Sequence, residues 1–306
     1  MVQRLRRHSN HEVVGYDIDR GALDEARRWG AHPAGSLTAL VERLRPPRTA
    51  WLMLPPGEPT RSTIRALATL LSPGDLVVDG GNSKWTETLR LGRELDTRGI
   101  ELVDVGTSGG VWGGDAGYCL MVGGSEHGVE RLVPVLDALA APPDGVHGRG
   151  WAHVGRPGAG HFVKMIHNGI EYALMEAYAE GFALLQASEF GLDNAQIAHL
   201  WMRGAVVRSW LCELAARAFD RRGNGLDELR GIIDDSGQGR WTLEEAATKG
   251  VPTPAIAASV YARFYSREGA EFAHRLLAAL RAEFGGHRVY PSAHETEARL
   301  HTPAAL

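Results

Sequence analysis

The sequence predicts an α/β chain in which a doubly wound, mostly parallel sheet is followed by an all-α domain. Three observations predict it. Up to about residue 150, short β-branched apolar runs bounded by glycine alternate with helix-like stretches. Beyond "GRPGAG" (Gly155–Gly160) the strand signal stops and long helical patterns follow. The Gly- and Pro-rich run Pro142–Gly160 separates the two grammars, which places the domains at 1–155 and 156–306.

The chain opens on a helical pattern, "MVQRLRRHSN". Strands are expected at "HEVVGYD" (His11–Asp17), "TAWLML" (Thr49–Leu54), "GDLVVDGG" (Gly74–Gly81), "GIELVDVG" (Gly99–Gly106) and "GYCLMVGG" (Gly117–Gly124). Helix-like segments at Arg20–Trp29, Thr60–Leu71 and Trp85–Arg98 lie between several of them. Parallel neighbours need such crossovers, so the order implies helices on both faces of one sheet. The second half reads as helices over His161–Phe190, Asp193–Arg203, Ser209–Asp220, Trp241–Lys249 and Pro254–Phe284.

A doubly wound (Rossmann-like) nucleotide sheet begins with a strand, a Gly-rich turn and a helix. Here no glycine precedes Gly15, and "HEVVGYD" reads as the second strand of such a sheet. The expectation is an N-terminally truncated version, lacking the first strand and the G-x-G-x-x-G loop, as a start placed downstream or a degenerate chain would give. Asp17, at the end of that second strand, suits an adenine-ribose hydroxyl, which favours NAD; it equally suits a plain turn.

Composition narrows the partners. The chain has 306 residues, 44% hydrophobic and 23% charged, with a formal net charge of −4. Its basic residues are scattered apart from "QRLRRH", so neither nucleic acid nor membrane is an expected partner. Cys119 and Cys212 stand far apart, which fits a reducing, cytoplasmic setting and offers no metal spacing. No H-x-x-x-H pair or acidic triad is present either, so no metal is expected.

"HFVKMIHNGIEYALMEAYAEG" (His161–Gly181) carries the most chemistry. With Lys164 as position i, His167, Asn168, Glu171 and Tyr172 are i+3, i+4, i+7 and i+8, one stripe of a helix. Phe162, Val163, Ile166, Ile170, Ala173 and Leu174 take the other side. The pattern fits either an amphipathic helix with a wet polar face or an acid/base pair lining a cleft. "VDGGNSKW" puts Asn82 in a glycine turn just after a strand, where open α/β sheets bind ligands; a structural turn explains it equally well. "VDVGTSGGVWGG" offers Ser108, Gly109 and Gly110, whose backbone N–H groups can approach an anion. Arg240, Arg263, Arg281 and His287 lie in "GRWT", "YARF" and "RAEFGGH", where each taken alone reads as a solvated residue.

Taken together, "DGGNS", "GTSGGVWGG", "HFVKMIHNGIEY", "GRWT", "YARF" and "EFGGH" resemble, in order, the decarboxylating 6-phosphogluconate dehydrogenases, best their shorter NAD-preferring branch. The resemblance implies oxidative decarboxylation of 6-phosphogluconate to ribulose 5-phosphate and CO2, with NAD reduced and NADP as second candidate. It implies Lys164 as the base at the substrate 3-hydroxyl and Glu171 as the acid that later protonates the enediol at C1. Ser108, Gly109 and Gly110 would meet the carboxylate, and Asn82, His167 and Asn168 the hydroxyls. Tyr172, Arg240 and Arg263 would hold the phosphate; Arg240 replaces the family's usual lysine. Leu54, Pro55 and Pro56 match the nicotinamide-side loop. Arg281 and His287 match a tail that reaches a neighbouring subunit, implying a homodimer or homotetramer. Two other readings stay open: a catalytically silent relative that binds a phosphorylated sugar acid, and a β-hydroxyacid dehydrogenase of the 3-hydroxyisobutyrate type.

Overall fold

A computed structural model describes residues 1–267 and Leu276. The order along the first half is α1 (Val2–His8), β1 (Val14–Gly15), α2 (Arg20–Arg28), β2 (His32–Pro33), α3 (Leu37–Arg43), β3 (Thr49–Leu52), α4 (Glu58–Leu70) and β4 (Leu76–Asp79). It continues with α5 (Trp85–Asp96), β5 (Glu101–Ser108), α6 (Gly113–Ala116), β6 (Cys119–Gly123), α7 (Glu126–Leu139) and β7 (Trp151–Gly155). Then come α8 (Ala159–Gln186), α9 (Asn194–Trp201), α10 (Trp210–Arg222), α11 (Gln238–Lys249) and α12 (Pro254–Tyr265).

The five-stranded sheet runs β3-β4-β5-β6-β7, parallel throughout except between β5 and β6. All four residues of β4 are buried, as expected of a central parallel strand covered on both faces. Side chains alternate between the faces. Leu76, Val78, Val103 and Val105 pack under Leu132, Leu136 and Leu139 of α7. Val77 and Leu102 pack under Ile64 and Leu67 of α4 and Leu91 and Leu95 of α5.

Two features depart from the expectation. "HEVVGYD" forms only the two-residue β1, which pairs with β2 in a separate small sheet, so the ladder extends no further than that short partner allows. The run Pro142–Gly160 is not all connection: its Trp151–Gly155 is β7, parallel to β6. Ala152, His153 and Val154 of β7 are exposed, so this edge strand has no alternating pattern to announce it.

The basic cluster at the start hides a buried cation. Arg4 is 4% exposed and donates to Leu139 O (2.9 Å), Ala140 O (2.7 Å) and Asp115 O (3.0 Å), capping the carbonyl end of α7. Arg4→Met removes three charged donors and takes from Ala140 O its side-chain partner; it is expected to cost roughly 2–3 kcal/mol in urea unfolding. An unchanged midpoint would show that the cap is idle.

Packing divides the chain into two compact units. One comprises Met1–Tyr172 and Ser236–Thr253, and thus includes the first half of α8 and all of α11. The other starts with Ala173–Asp235 and resumes at Pro254. Its core is Phe182, Ala198, Ala216 and Phe219, with the Phe182 and Phe219 rings edge-on at 5.0 Å. No helix among the described residues is long and apolar enough to cross a membrane.

Candidate active site

The site residues of the first unit come from three places: the turn after β4, the end of β5, and α8 with the start of α11. After β4, the buried Asp79 holds a tight turn, its carboxylate accepting from Gly81 N (3.0 Å) and Ser83 Oγ (2.7 Å). Asn82 sits there at φ 54°, in the left-handed region that Asn tolerates. Its amide bonds both backbone groups of Thr107: Oδ1 accepts from N (2.8 Å) and Nδ2 donates to O (3.1 Å). The Asn82 side chain therefore acts as a strut holding the end of β5. A Cβ on Gly81 would lie 2.3 Å from Leu54 O, so glycine is what lets the Leu54–Pro56 loop close on this turn. Ser108 ends β5, followed by Gly109 (φ 122°) and Gly110 (φ 51°), both in conformations that favour glycine.

Helix α8 starts on the backbone of the sheet itself. Asp104, fully buried on β5, accepts from Gly158 N (2.6 Å) and His161 N (2.8 Å) and so caps the helix. Burial pushes the Asp104 carboxyl above its ordinary range, while His161 and the two N–H groups oppose this. The His161 ring, 1% exposed, bridges Asp79 O (Nε2, 3.0 Å) and Thr88 Oγ1 (Nδ1, 2.7 Å). A ring nitrogen facing a carbonyl must donate, so Nε2 is the donor to Asp79 O. One turn further on is Lys164.

The amphipathicity of α8 is inverted. Lys164 is 5% and Tyr172 7% exposed, whereas Val163, Ile170 and Leu174 are 37%, 51% and 48% exposed. The stripe is thus not uniformly wet: Lys164 and Tyr172 are buried, while the His167 and Glu171 side chains are each 37% exposed. Burial pushes the Lys164 ammonium below the ordinary lysine range, with Glu171 and Cys119 opposing. Lys164 Nζ is 3.3 Å from His167 Nδ1. That nitrogen is also 3.0 Å from Asn168 Oδ1 and 3.6 Å from Glu171 Oε2. On the other side of the ring, His167 Nε2 faces Ser108 Oγ at 3.4 Å. The Tyr172 hydroxyl meets Ser236 Oγ at 3.0 Å.

Helix α11 is pinned at two points. Gln238 donates to Asn82 O (2.8 Å), and Thr242 donates to Met165 O (2.9 Å), beside Lys164. Arg240 is exposed on the same first turn. Asp104, His161, Gln238 and Thr242 all escape sequence reasoning. Only His161 left a signal, standing three residues before Lys164 on the same stripe.

The remaining expected residues lie elsewhere. Asp17 is exposed after β1 and its carboxylate accepts from Asp19 N (2.9 Å), which is the turn role; an exposed carboxylate can still meet a ribose hydroxyl. Arg263 belongs to the second unit, on α12, and donates to Asp234 O (3.1 Å). Arg281 and His287 lie outside the described residues.

A mostly parallel sheet with glycine turns at its C-terminal edge and a buried lysine on the long helix that follows is the arrangement of a nucleotide-dependent dehydrogenase. Known proteins agree. Residues 1–155 match the NAD binding domain of 6-phosphogluconate dehydrogenase, and 160–301 match the 6-phosphogluconate dehydrogenase C-terminal domain. The chain belongs to the 6-phosphogluconate dehydrogenase family. It is 43% identical over 281 residues to the NAD(+)-dependent, decarboxylating 6-phosphogluconate dehydrogenase of Haloferax volcanii, covering 92% of this chain and 91% of that one. The 6-phosphogluconate dehydrogenase structure from Plasmodium falciparum superposes with a TM-score of 0.79 at 22% identity, covering 96% of this chain but 64% of that one. A 3-hydroxyisobutyrate dehydrogenase from Mycobacterium tuberculosis superposes with a TM-score of 0.68 at 22% identity, covering 88% and 89%. At that identity the two structures speak for the fold alone.

Proposed function

We propose that this protein oxidises and decarboxylates 6-phosphogluconate to ribulose 5-phosphate and CO2, reducing NAD. The observation that carries the reading is the burial of Lys164 on a stripe that also holds His167, Asn168, Glu171 and Tyr172. Bound NAD would accept the hydride leaving C3. Asp17 suits its ribose, and Leu54, Pro55, Pro56 and Asn82, at the ends of β3 and β4, suit its nicotinamide side.

Lys164 takes the C3 hydroxyl proton as the hydride departs, and burial keeps its amine inclined to the neutral form a base needs. The new carbonyl is β to the C1 carboxylate, so CO2 leaves with its bonding electrons passing into that carbonyl. Lys164, now an ammonium, donates to the developing enolate oxygen. Glu171 then protonates the enediol carbon that lost CO2, which is C2 of the acid and C1 of the ketose. Ser108, Gly109 and Gly110 serve the carboxylate, and Asn82, His167 and Asn168 the hydroxyls. Tyr172, Arg240 and Arg263 serve the phosphate, with Arg281 and His287 joining from a second copy.

The division into a nucleotide domain, 1–155, and a helical substrate domain, 156–306, has the support of the two family matches. A homodimer or homotetramer has the support of the exposed apolar side chains Val163, Ile170 and Leu174. Unpaired Cys119 and Cys212 accord with a cytoplasmic setting.

The test is NADH formation and CO2 release with 6-phosphogluconate beside 3-hydroxyisobutyrate. Equal or faster turnover of the unphosphorylated acid would replace this reading with the other dehydrogenase, and turnover of neither would leave the silent relative. Arg240→Ala is expected to raise KM for 6-phosphogluconate roughly 10- to 100-fold while kcat changes less. An unchanged KM removes Arg240 from the phosphate end.

A further inference from the structure

We propose that His167 returns a proton from Lys164 to Glu171 after each turnover. The inference rests on the reaction proposed above, which leaves Lys164 holding a proton that Glu171 lacks. The sugar acid and NAD become the ketose phosphate, CO2 and NADH with no net proton released. Yet Lys164 has taken the C3 hydroxyl proton, and Glu171 has given one to the carbon that becomes C1 of the ketose. The lysine therefore ends each cycle one proton too rich and the glutamate one too poor.

The two groups stand seven residues apart on α8, which is about 10.5 Å along the helix axis, too far for a direct hand-over between their attachment points. His167 lies between them. Its Nδ1 is 3.3 Å from Lys164 Nζ and 3.6 Å from Glu171 Oε2. Both neighbours face the same nitrogen, so a proton arriving from Lys164 needs no ring flip to leave once Glu171 closes its 3.6 Å gap to hydrogen-bond distance. First an Nζ–H bond breaks as Nδ1–H forms, leaving a neutral amine and an imidazolium. Then Nδ1–H breaks as Oε2–H forms, restoring the neutral ring and giving a carboxylic acid. Charge balances: an ammonium and a carboxylate become an amine and an acid. Asn168 Oδ1, 3.0 Å from the same nitrogen, accepts a hydrogen bond from the protonated ring. Nε2 stays turned towards Ser108 Oγ throughout. The burial of Lys164 favours surrender of its extra proton. Binding a sugar hydroxyl would not by itself require Nδ1 to face both groups.

Stopped-flow NADH formation on the full chain separates the first turnover from the later ones. In His167→Asn the ratio of first-turnover rate to steady-state rate is expected to rise at least about tenfold, because resetting, not chemistry, becomes slow. Added imidazole should bring the steady state back towards the wild-type rate. A raised KM with the ratio unchanged, or no response to imidazole, overturns the relay and leaves a binding role. A wild type that forms no NADH overturns the reaction, and the relay falls with it. A second measurement needs no turnover: the ¹⁵N resonance of His167 Nδ1 should move in both Lys164→Met and Glu171→Gln. A resonance indifferent to either substitution also overturns the relay.

Discussion

Lys164→Met is expected to abolish NADH formation and, in the same protein, to raise the melting temperature. The loss of activity should exceed about a thousandfold, since the base and the hydrogen-bond donor to the enolate vanish together. The gain in stability has a separate cause. Lys164 is 5% exposed, and burial disfavours its charged form. Methionine has nearly the same length and no charge to desolvate, so Tm should rise by roughly 2–4 °C near neutral pH. The sign with pH follows from the lowered pKa. Above the unfolded lysine value, about 10.4, both folded and unfolded chains carry a neutral amine and there is no penalty. As pH falls below that value the unfolded chain takes up the proton first, and the wild type loses stability until pH passes the lowered folded value. The Tm advantage of Lys164→Met should therefore be full at low pH and shrink to nothing near pH 10–11. Retained activity would sink the reaction; a constant Tm difference across pH would mean that the folded pKa is not lowered.

How much of this was legible beforehand depends on the range of the interaction. The strand-and-helix grammar of the first half reads directly, because period and glycine boundaries are local signals. So does the stripe from Lys164 to Tyr172. Its direction does not: periodicity shows that a helix has two faces and says nothing about which one meets the protein. On α8 Lys164 and Tyr172 are buried, His167, Asn168 and Glu171 are half-buried, and Val163, Ile170 and Leu174 look outward, against the ordinary case. The supports around the site are long-range contacts. His161 reaches Asp79 across 82 residues and Gln238 reaches Asn82 across 156, and no window of sequence contains both partners. Asn82 shows a middle case. The glycine turn is visible in "DGGNS", but the amide that struts Thr107 is not, because that depends on where β5 ends beside it. Arg4 misleads in the other direction: a cluster of arginines reads as solvated surface, and one of them caps a helix from within.

Gly106→Ala should be among the most damaging single-methyl changes in the molecule, because three glycines on three elements make the seat of α8. A Cβ on Gly106 of β5 would lie 2.4 Å from Lys164 Cβ and 2.6 Å from Gly160 O. One on Gly160 would lie 2.3 Å from Met121 O, and one on Gly123 of β6 would lie 2.6 Å from Gly160 N. These are backbone atoms or a Cβ fixed to the backbone, so no rotamer change relieves the clash, and the helix must lift off the sheet. Overpacking of this kind costs about 1–3 kcal/mol and sometimes more. The catalytic consequence should be larger than the stability loss suggests. Lys164 rides on the turn that moves, and a displacement of about 1 Å at a reacting group can cost about a hundredfold in rate. Gly181 on the same helix is the control: a Cβ there would meet nothing within 4 Å. Gly181→Ala should stabilise by roughly 0.5–1 kcal/mol through helix propensity alone and leave kcat where it was. Urea midpoints and kcat measured on both variants decide the matter. If Gly106→Ala tracks Gly181→Ala in either quantity, the close seat does not hold Lys164 in place.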